Sequence, residues 1–391
     1  MCAKNKPTIA ITGATGFLGS HLAASLLEKG YRVIILGRPA NGETLRERVL
    51  KLLRWFGLEN RSDQVEMVEI DFTADRCGIQ KSKYTELCAA IGQVIHCASD
   101  TSFSERKREQ VLETNIRHLT GILELASDAR VNFFHYISTA YAAGVTDTVC
   151  KEQLSTTTHF VNVYEESKAQ AEKAIAAYCE KHSLPLNIIR PPIVYGDSRT
   201  GRSLKFNALY YPIRSLQNIR DIYLNDIAHH GGQKSQVHGI YLDDEGFLFL
   251  PLRIYLPKKG SLNLIPVDYF VNATLKIIEK DLPGGIYHLT SKTPTTLETI
   301  AVYNERFMKV KGIEIIYSEG GNHIMRNPAE ELFGRFIGPY RPYLSDARVF
   351  ERTNSDRVTG DLQPPEFSAE IFNRCMEFAV RAQWGENLYG D

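Results

Sequence analysis

"TIAITGATGFLGSHLAASLLEKG", residues 8–30, is the stretch that decides the fold. It opens with a short β-rich run, Thr8 to Thr12, that ends in glycines. Gly13, Gly16 and Gly19 follow at Gly-x-x-Gly-x-x-Gly spacing, and apolar residues then recur at helical intervals as far as Gly30, a residue suited to ending a helix. A glycine turn between a strand and a helix lets backbone approach a ligand closely. The helix N-terminus behind it favours a pyrophosphate. Gly13, Thr15, Gly16, Phe17, Leu18 and Gly19 are therefore the first candidate contacts to a dinucleotide.

Outward from this turn, strands and helices alternate. "YRVIILG" (31–37), "VEMVEID" (65–71), "QVIHCAS" (93–99), "NFFHYIS" (132–138) and "LNIIRP" (186–191) read as strands. Residues 17–30, 43–57, 109–127 and 164–181 read as helices. The alternation predicts an α/β fold, a Rossmann-type doubly wound parallel sheet. Ligands bind such a sheet at the carboxyl ends of its strands. The residues expected there are Arg38 after the second strand, Asp71 and Phe72 after the third, Cys97, Ala98 and Ser99 after the fourth, and Pro191, Ile193 and Val194 after the last. An acidic residue after the second strand would hold a ribose 2′-hydroxyl. Arg38 stands there instead, with Arg48 on the next helix, and an arginine fork suits a 2′-phosphate. The expected cofactor is NADP(H), the alternative being that Arg38 is only a solvated strand-end charge. Asp71 either binds the adenine amino group or forms a turn.

After about residue 200 the rhythm fails. "FNALYYPIRSLQNIRDIYLNDIAHHGG" reads as aromatic, polar and irregular, and regular patterning returns at "LNLIPVDYFVNATLKIIEK" (262–280). The chain is thus expected to divide into a dinucleotide-binding domain, 1–201 with 262–292, and a smaller, mostly C-terminal substrate-binding cap, 202–261 with 293–391. The Tyr and Phe content of the cap suits an apolar or extended ligand.

The 391 residues carry 46 Lys+Arg against 46 Asp+Glu, which gives bulk electrostatics no reason to attract nucleic acid. The seven cysteines include no CxxC pair, and the start "MCAKNKPTIAIT" is too polar for a secretory signal, so a cytoplasmic protein with reduced thiols is expected. No apolar run approaches the length of a membrane span. His229, His230 and His238 lie in a Gly-containing stretch without carboxylates or thiols at ligand spacing, and read as solvated or cap-lining residues, with no metal expected. Asp268 is expected to cap its helix, Asp197 and Thr200 to fix the loop beside them or merely to form a turn, and Trp55 and Trp384 to pack.

"NVYEESKAQAEK" (162–173) places Tyr164 and Lys168 one helical turn apart. A free tyrosine titrates near ~10, too high for proton transfer at neutral pH, and a neighbouring ammonium favours the tyrosinate. With the glycine turn, this pair resembles the extended branch of the short-chain dehydrogenase/reductase superfamily. That resemblance implies a Ser/Thr–Tyr–Lys trio. Thr139 matches the hydroxyl position, with Ser138 as its neighbouring alternative, Tyr164 serves as acid–base and Lys168 also holds the nicotinamide ribose. It also implies a structural or proton-relay role for Asn115, whose other reading is capping or packing. The helices at 109–127 and 164–181 are the usual dimer faces of such proteins, so a homodimer is a possible assembly.

"TGATGFLGSHL", "VIHCASDTSF", "STAY", "NVYEESKAQAE", "RPPIVYGDSRTG" and "IPVDYFVNA" are similar to the male-sterility, fatty acyl-CoA reductase and thioester reductase group. "GDSRTG" (196–201) is the most telling, because sugar epimerases usually have "YGP" there. The resemblance implies NADPH-dependent reduction of an acyl thioester, presented as a CoA ester or on a carrier protein, to an aldehyde or alcohol. Cys97-Ala98-Ser99 depart from the Ala-Ala that usually follows the His of "VIHCAS". A ketone or aldehyde reductase would use the same trio. A non-catalytic NADP sensor is the third reading, although such proteins commonly lose the Tyr or Lys.

Overall fold

The computed structural model describes residues 6–146, 148–280, 283–318 and 327–389. The glycine-turn unit forms as its sequence requires. β1 (Thr8–Thr12) leads through the turn into α1 (Phe17–Glu28) and back to β2 (Val33–Gly37). α2 (Leu45–Phe56) starts at a capping box, in which the Thr44 side chain accepts from the Glu47 amide while the Glu47 carboxylate accepts from the Thr44 amide. It ends at Gly57 in the left-handed conformation. β3 (Val65–Glu69), α3 (Lys81–Ala90) and β4 (Ile91–His96) follow.

The predicted helix over 109–127 is broken in two, α4 (Arg108–Asn115) and α5 (Thr120–Asp128), with a 3₁₀ turn between them. Asn115 explains the break. Its buried amide is committed to tertiary hydrogen bonds at the end of α4, and Ile116 leaves helical geometry at φ −119°. β5 (Phe133–Ile137), α6 (Val163–Lys181) and β6 (Leu186–Arg190) complete the first half.

A short strand, β7 (Ile193–Tyr195), then leaves the sheet, and the chain enters a 20-residue helix, α7 (Tyr210–His229). This corrects the irregular reading of the stretch. Pro212 falls in the first turn, where its missing amide proton costs nothing, and Tyr210, Ile213, Leu216, Ile219 and Tyr223 form one buried face. α8 (Gln233–Val237), β8 (Tyr241–Leu242), β9 (Leu248–Leu256), β10 (Ser261–Leu262), β11 (Leu264–Pro266), α9 (Val267–Glu279), β12 (Gly285–His288) and β13 (Thr295–Thr296) come next. The chain closes with α10 (Leu297–Met308), β14 (Val310–Tyr317), α11 (Pro328–Ile337), α12 (Arg341–Leu344), α13 (Thr353–Thr359) and α14 (Ala369–Arg381).

The main sheet has seven strands in the order β12-β6-β5-β4-β1-β2-β3, every pair parallel. The chain reverses direction across the sheet between β1 and β4, the switch point at which open α/β sheets bind ligands. Apolar layers cover both faces of this sheet. A third core lies outside it, built from α7, α10, α11, α14 and a separate sheet ordered β14-β9-β8. Asp268 does not cap α9. Pro266 holds that position, and the Asp268 carboxylate accepts from the backbone and hydroxyl of Ser198, tying down the 196–201 loop. Within that loop Asp197 accepts from the amides of Arg199 and Thr200 and from the Thr200 hydroxyl, closing a turn. Among the described residues no helix is long and apolar enough to cross a membrane.

Candidate active site

A cavity of about 1600 Å³ opens at the β1–β4 switch point. Its floor is the glycine turn. Gly13 has φ +71°, and a β-carbon there would lie 2.5 Å from the Ala98 amide nitrogen. One on Gly19 would collide with the Gly13 carbonyl oxygen. Any side chain at either position would separate α1 from the ends of β1 and β4. The same two strands are locked by Thr12, whose hydroxyl meets His96 Nδ1 at 3.0 Å and accepts from the Ala98 amide at 3.3 Å. Burial pushes the His96 imidazole down to about 3, so it is neutral.

Arg38 reaches the cavity from the end of β2, and Arg48 from α2. The Arg48 guanidinium donates to the Arg38 carbonyl at 2.8 Å and to Thr15 Oγ1 at 2.7 Å, bracing the strand end against the glycine turn. The glycine cradle and these two cations together make a donor set that fits the phosphates of a dinucleotide. Phe72, Cys97, Ala98, Ser99, Pro191, Ile193 and Val194 line the same cavity. Asp71 does not. Its carboxylate accepts from the amide and hydroxyl of Thr73, at 2.9 Å and 2.7 Å, which is the turn-forming arrangement.

The same cavity is lined by Thr139, Tyr164 and Lys168. Asn162 starts α6 by accepting from the Glu165 amide at 3.1 Å, which presents Tyr164 in the first turn and Lys168 one turn on. Lys168 is 1% exposed. Its ammonium donates to the Ile137 carbonyl at 2.7 Å and lies 4.2 Å from the centre of the Tyr136 ring. Burial lowers its titration to about 8, against the opposing influence of Cys97 and Glu172. Thr139 Oγ1 lies 3.4 Å from both the Pro191 carbonyl oxygen and the Tyr141 amide nitrogen.

Burial raises the Tyr164 hydroxyl well above its ordinary value. Cys97 and Glu165 act in the same direction, and a hydrogen bond with Thr139 acts against them. The sequence-based expectation of a lowered tyrosine is therefore not met, since the hydroxyl is shifted upward. A half-buried phenol loses more from desolvation than it gains nearby, and the Lys168 ammonium is engaged with Ile137. The tyrosine is held protonated.

Asn115 stands behind the site, outside the cavity lining. Its side chain accepts from the Asp100 amide at 2.7 Å and the Ser99 hydroxyl at 3.0 Å, and donates to the Asp100 carbonyl and to Ser167 Oγ, each at 2.9 Å. It thus joins the loop after β4 to α6. Ser138, the neighbour of Thr139, also borders the cavity, but its hydroxyl is spent in a buried network, donating to Glu172, which Arg190 also pairs.

Sequence reading missed the far wall of the cavity. Phe103, Lys205, Asn207, Tyr211, Leu262, Tyr340 and Tyr343 come from four separate stretches of the chain. The one usable sign was the aromatic density of 206–211 and 340–343. His229 and His238 end α7 and follow α8, and among the described residues no three His, Cys, Asp or Glu side chains are grouped to hold a metal ion. Trp384 donates to Gln217, and Trp55 stacks under the Arg202 guanidinium at 3.9 Å.

The model of the male sterility protein, an NAD-binding unit, matches residues 11–274. The chain belongs to the male sterility protein family. The family and its structural neighbours are NAD(P)-dependent oxidoreductases of Rossmann type. Among curated relatives, a nonribosomal peptide synthetase, asaC of Aspergillus flavus, is 23% identical over 382 residues, covering 90% of this chain and 34% of the synthetase. Fatty acyl-CoA reductase 2 of Mus musculus is 32% identical over 146 residues, covering 34% of this chain and 28% of the reductase. The chain thus spans about a third of the length of these relatives. Among solved structures, the terminal R domain from the myxalamid PKS-NRPS pathway superposes with a TM-score of 0.75 at 20% identity, covering 98% of this chain and 93% of that one, which establishes a common fold.

Proposed function

We propose that this male sterility family member reduces an acyl thioester with NADPH, releasing a thiol and an aldehyde that a second round can take to the alcohol. The observation that carries the reading is the coincidence in the lining of one cavity of the glycine cradle, Arg38 and Arg48 with Thr139, Tyr164 and Lys168. The relatives named as acyl-CoA reductase and peptide synthetase support the thioester as the reacting group. The acyl group would arrive as a CoA ester or on a carrier protein. Residues 202–261 with 293–391 form the substrate-binding cap in this account.

When bound, the cofactor supplies the hydride. The chain's own residues do the rest. Gly13 and Gly19 admit the pyrophosphate, and Arg38 and Arg48 neutralise a 2′-phosphate. Thr139 hydrogen-bonds the substrate oxygen as negative charge develops on it. Tyr164, held protonated by desolvation of its hydroxyl, gives that oxygen its proton. Lys168, cationic below about pH 8, repays the tyrosinate left behind and orients the ribose hydroxyls. The hemithioacetal so formed on the substrate expels the thiol. Asn115 keeps α6 registered against the loop after β4.

A ketone or aldehyde reductase would use the same three side chains without a leaving group. Purified protein mixed with NADPH and acyl-CoA decides between them. Thiol release equal to the aldehyde formed supports the proposal. Turnover of ketones without any thiol release from the ester would replace it with the second reading.

A further inference from the structure

The acyl end of the cavity is walled by aromatic rings. Phe103 is the hub. Its ring centre lies 5.9 Å from that of Tyr164, 5.6 Å from Tyr340 and 5.5 Å from Tyr343. Tyr343 meets Tyr141 at 5.1 Å, and Tyr340 meets Tyr211 at 5.6 Å. All six rings line the cavity. The contacts are tilted or edge-to-face, with interplanar angles from 34° to 71°, so ring faces and edges remain available to a guest at several orientations.

This wall is fixed relative to Tyr164. The Tyr343 hydroxyl accepts from Asn162 Nδ2 at 2.8 Å, and Asn162 is the residue that starts the Tyr164 helix. Five residues past Tyr343, the Arg348 guanidinium grips the Glu165 carboxylate at 3.0 Å and 3.1 Å, where Glu165 is fully buried and adjacent to Tyr164. The same guanidinium lies 4.6 Å from the centre of the Tyr141 ring. The cap segment and the proton donor therefore hold one spacing, and Phe103 is in ring contact with the donor.

We infer that the acyl group this site selects carries an aromatic ring close to its carbonyl, in preference to a saturated chain of the same carbon count. The inference rests on the thioester reading for its carbonyl, and on the ring cluster for its selectivity. A saturated chain entering here gains only buried area. An aryl group gains the same area together with edge-to-face contacts to Phe103 and Tyr340.

Phenylpropionyl-pantetheine and nonanoyl-pantetheine have acyl groups of equal carbon count and test this directly. Their binding is measured by calorimetry without NADPH, so that nothing turns over. The aryl ester should bind about tenfold tighter, the worth of two aromatic pairs. Phe103→Leu and Tyr340→Leu should each erode that ratio while leaving NADPH affinity unchanged, which also shows that the variants are folded. Equal or tighter binding of the nonanoyl ester, or an undiminished ratio in both leucine variants, overturns the inference. Adding NADPH separates the two claims. If the binding preference persists but neither ester is consumed, the aryl subsite stands and the thioester reading falls. If both esters are reduced and bound without preference, the reading stands and the subsite falls.

Discussion

The two ends of the cavity are built by different means. The dinucleotide end is backbone and short-range. Gly13 to Gly19, the end of β2 and the start of α2 lie within one strand–helix–strand–helix unit, and Arg48 braces them with two hydrogen bonds. The acyl end is side chain and long-range. Phe103, Tyr211 and Tyr340 are brought together from the loop after β4, from α7 and from the turn before α12, and are held to α6 through Asn162 and the Glu165–Arg348 pair. Hydride chemistry needs a cofactor of constant shape, so its cradle can be written into one local motif. Substrate choice depends on how distant segments meet. Tyr164 lines the same cavity as both, and its ring meets Phe103 of the acyl end.

The comparison breaks most sharply at that residue. Tyr164→Phe removes the proton donor while keeping the ring, and should lower kcat by about 10²–10⁴-fold with NADPH affinity retained. Steady-state rates with fluorescence titration of NADPH check both halves of the statement. The pH profile gives the next largest effect. Lys168 is protonated below about pH 8, so reduction should hold to that point and fall towards tenfold per pH unit above it. The same group predicts a stability trend of known sign. Its folded-state value lies below the unfolded 10.5, so the unfolded chain binds more protons between about 8 and 10.5, and resistance to urea should rise with pH across that window. Lys168→Met should abolish both trends.

At the dinucleotide end, Arg38→Ala with Arg48→Ala should weaken NADPH by about tenfold or more relative to NADH, as expected for charge-assisted hydrogen bonds lost to a phosphate. Acyl-ester affinity should not change. At the acyl end, Tyr343→Phe removes only the hydrogen bond from Asn162, and should raise KM for the ester by about two- to fivefold while leaving NADPH affinity alone. Should either variant alter the opposite end instead, the two halves are not independent.

The same contrast explains what could be read from the sequence. Six of the seven strands of the main sheet, and α1, α2 and α6 between them, were legible because each carries its own periodicity, whereas β12 and α3 were not read. Gly13 and Gly19 were legible because a β-carbon at either position would strike backbone. α7 was not, since Pro212 and a mixed aromatic–polar composition mask a buried face that nevertheless recurs at Tyr210, Ile213, Leu216 and Ile219. The helical run over 109–127 concealed a break, because Asn115 is spent on contacts to Ser99, Asp100 and Ser167 that no local pattern announces. The direction of the Tyr164 shift was missed for a related reason. Pair spacing shows that a lysine is near, but not that burial outweighs it.

The most direct test of the account follows the label from NADPH deuterated at its transferable position into an acyl-CoA product. The account predicts one deuterium on the former carbonyl carbon of the aldehyde, with one free thiol per label, and loss of both in Tyr164→Phe. Thiol released without label in the product, as in hydrolysis, or label transferred with the thioester left intact, would contradict it.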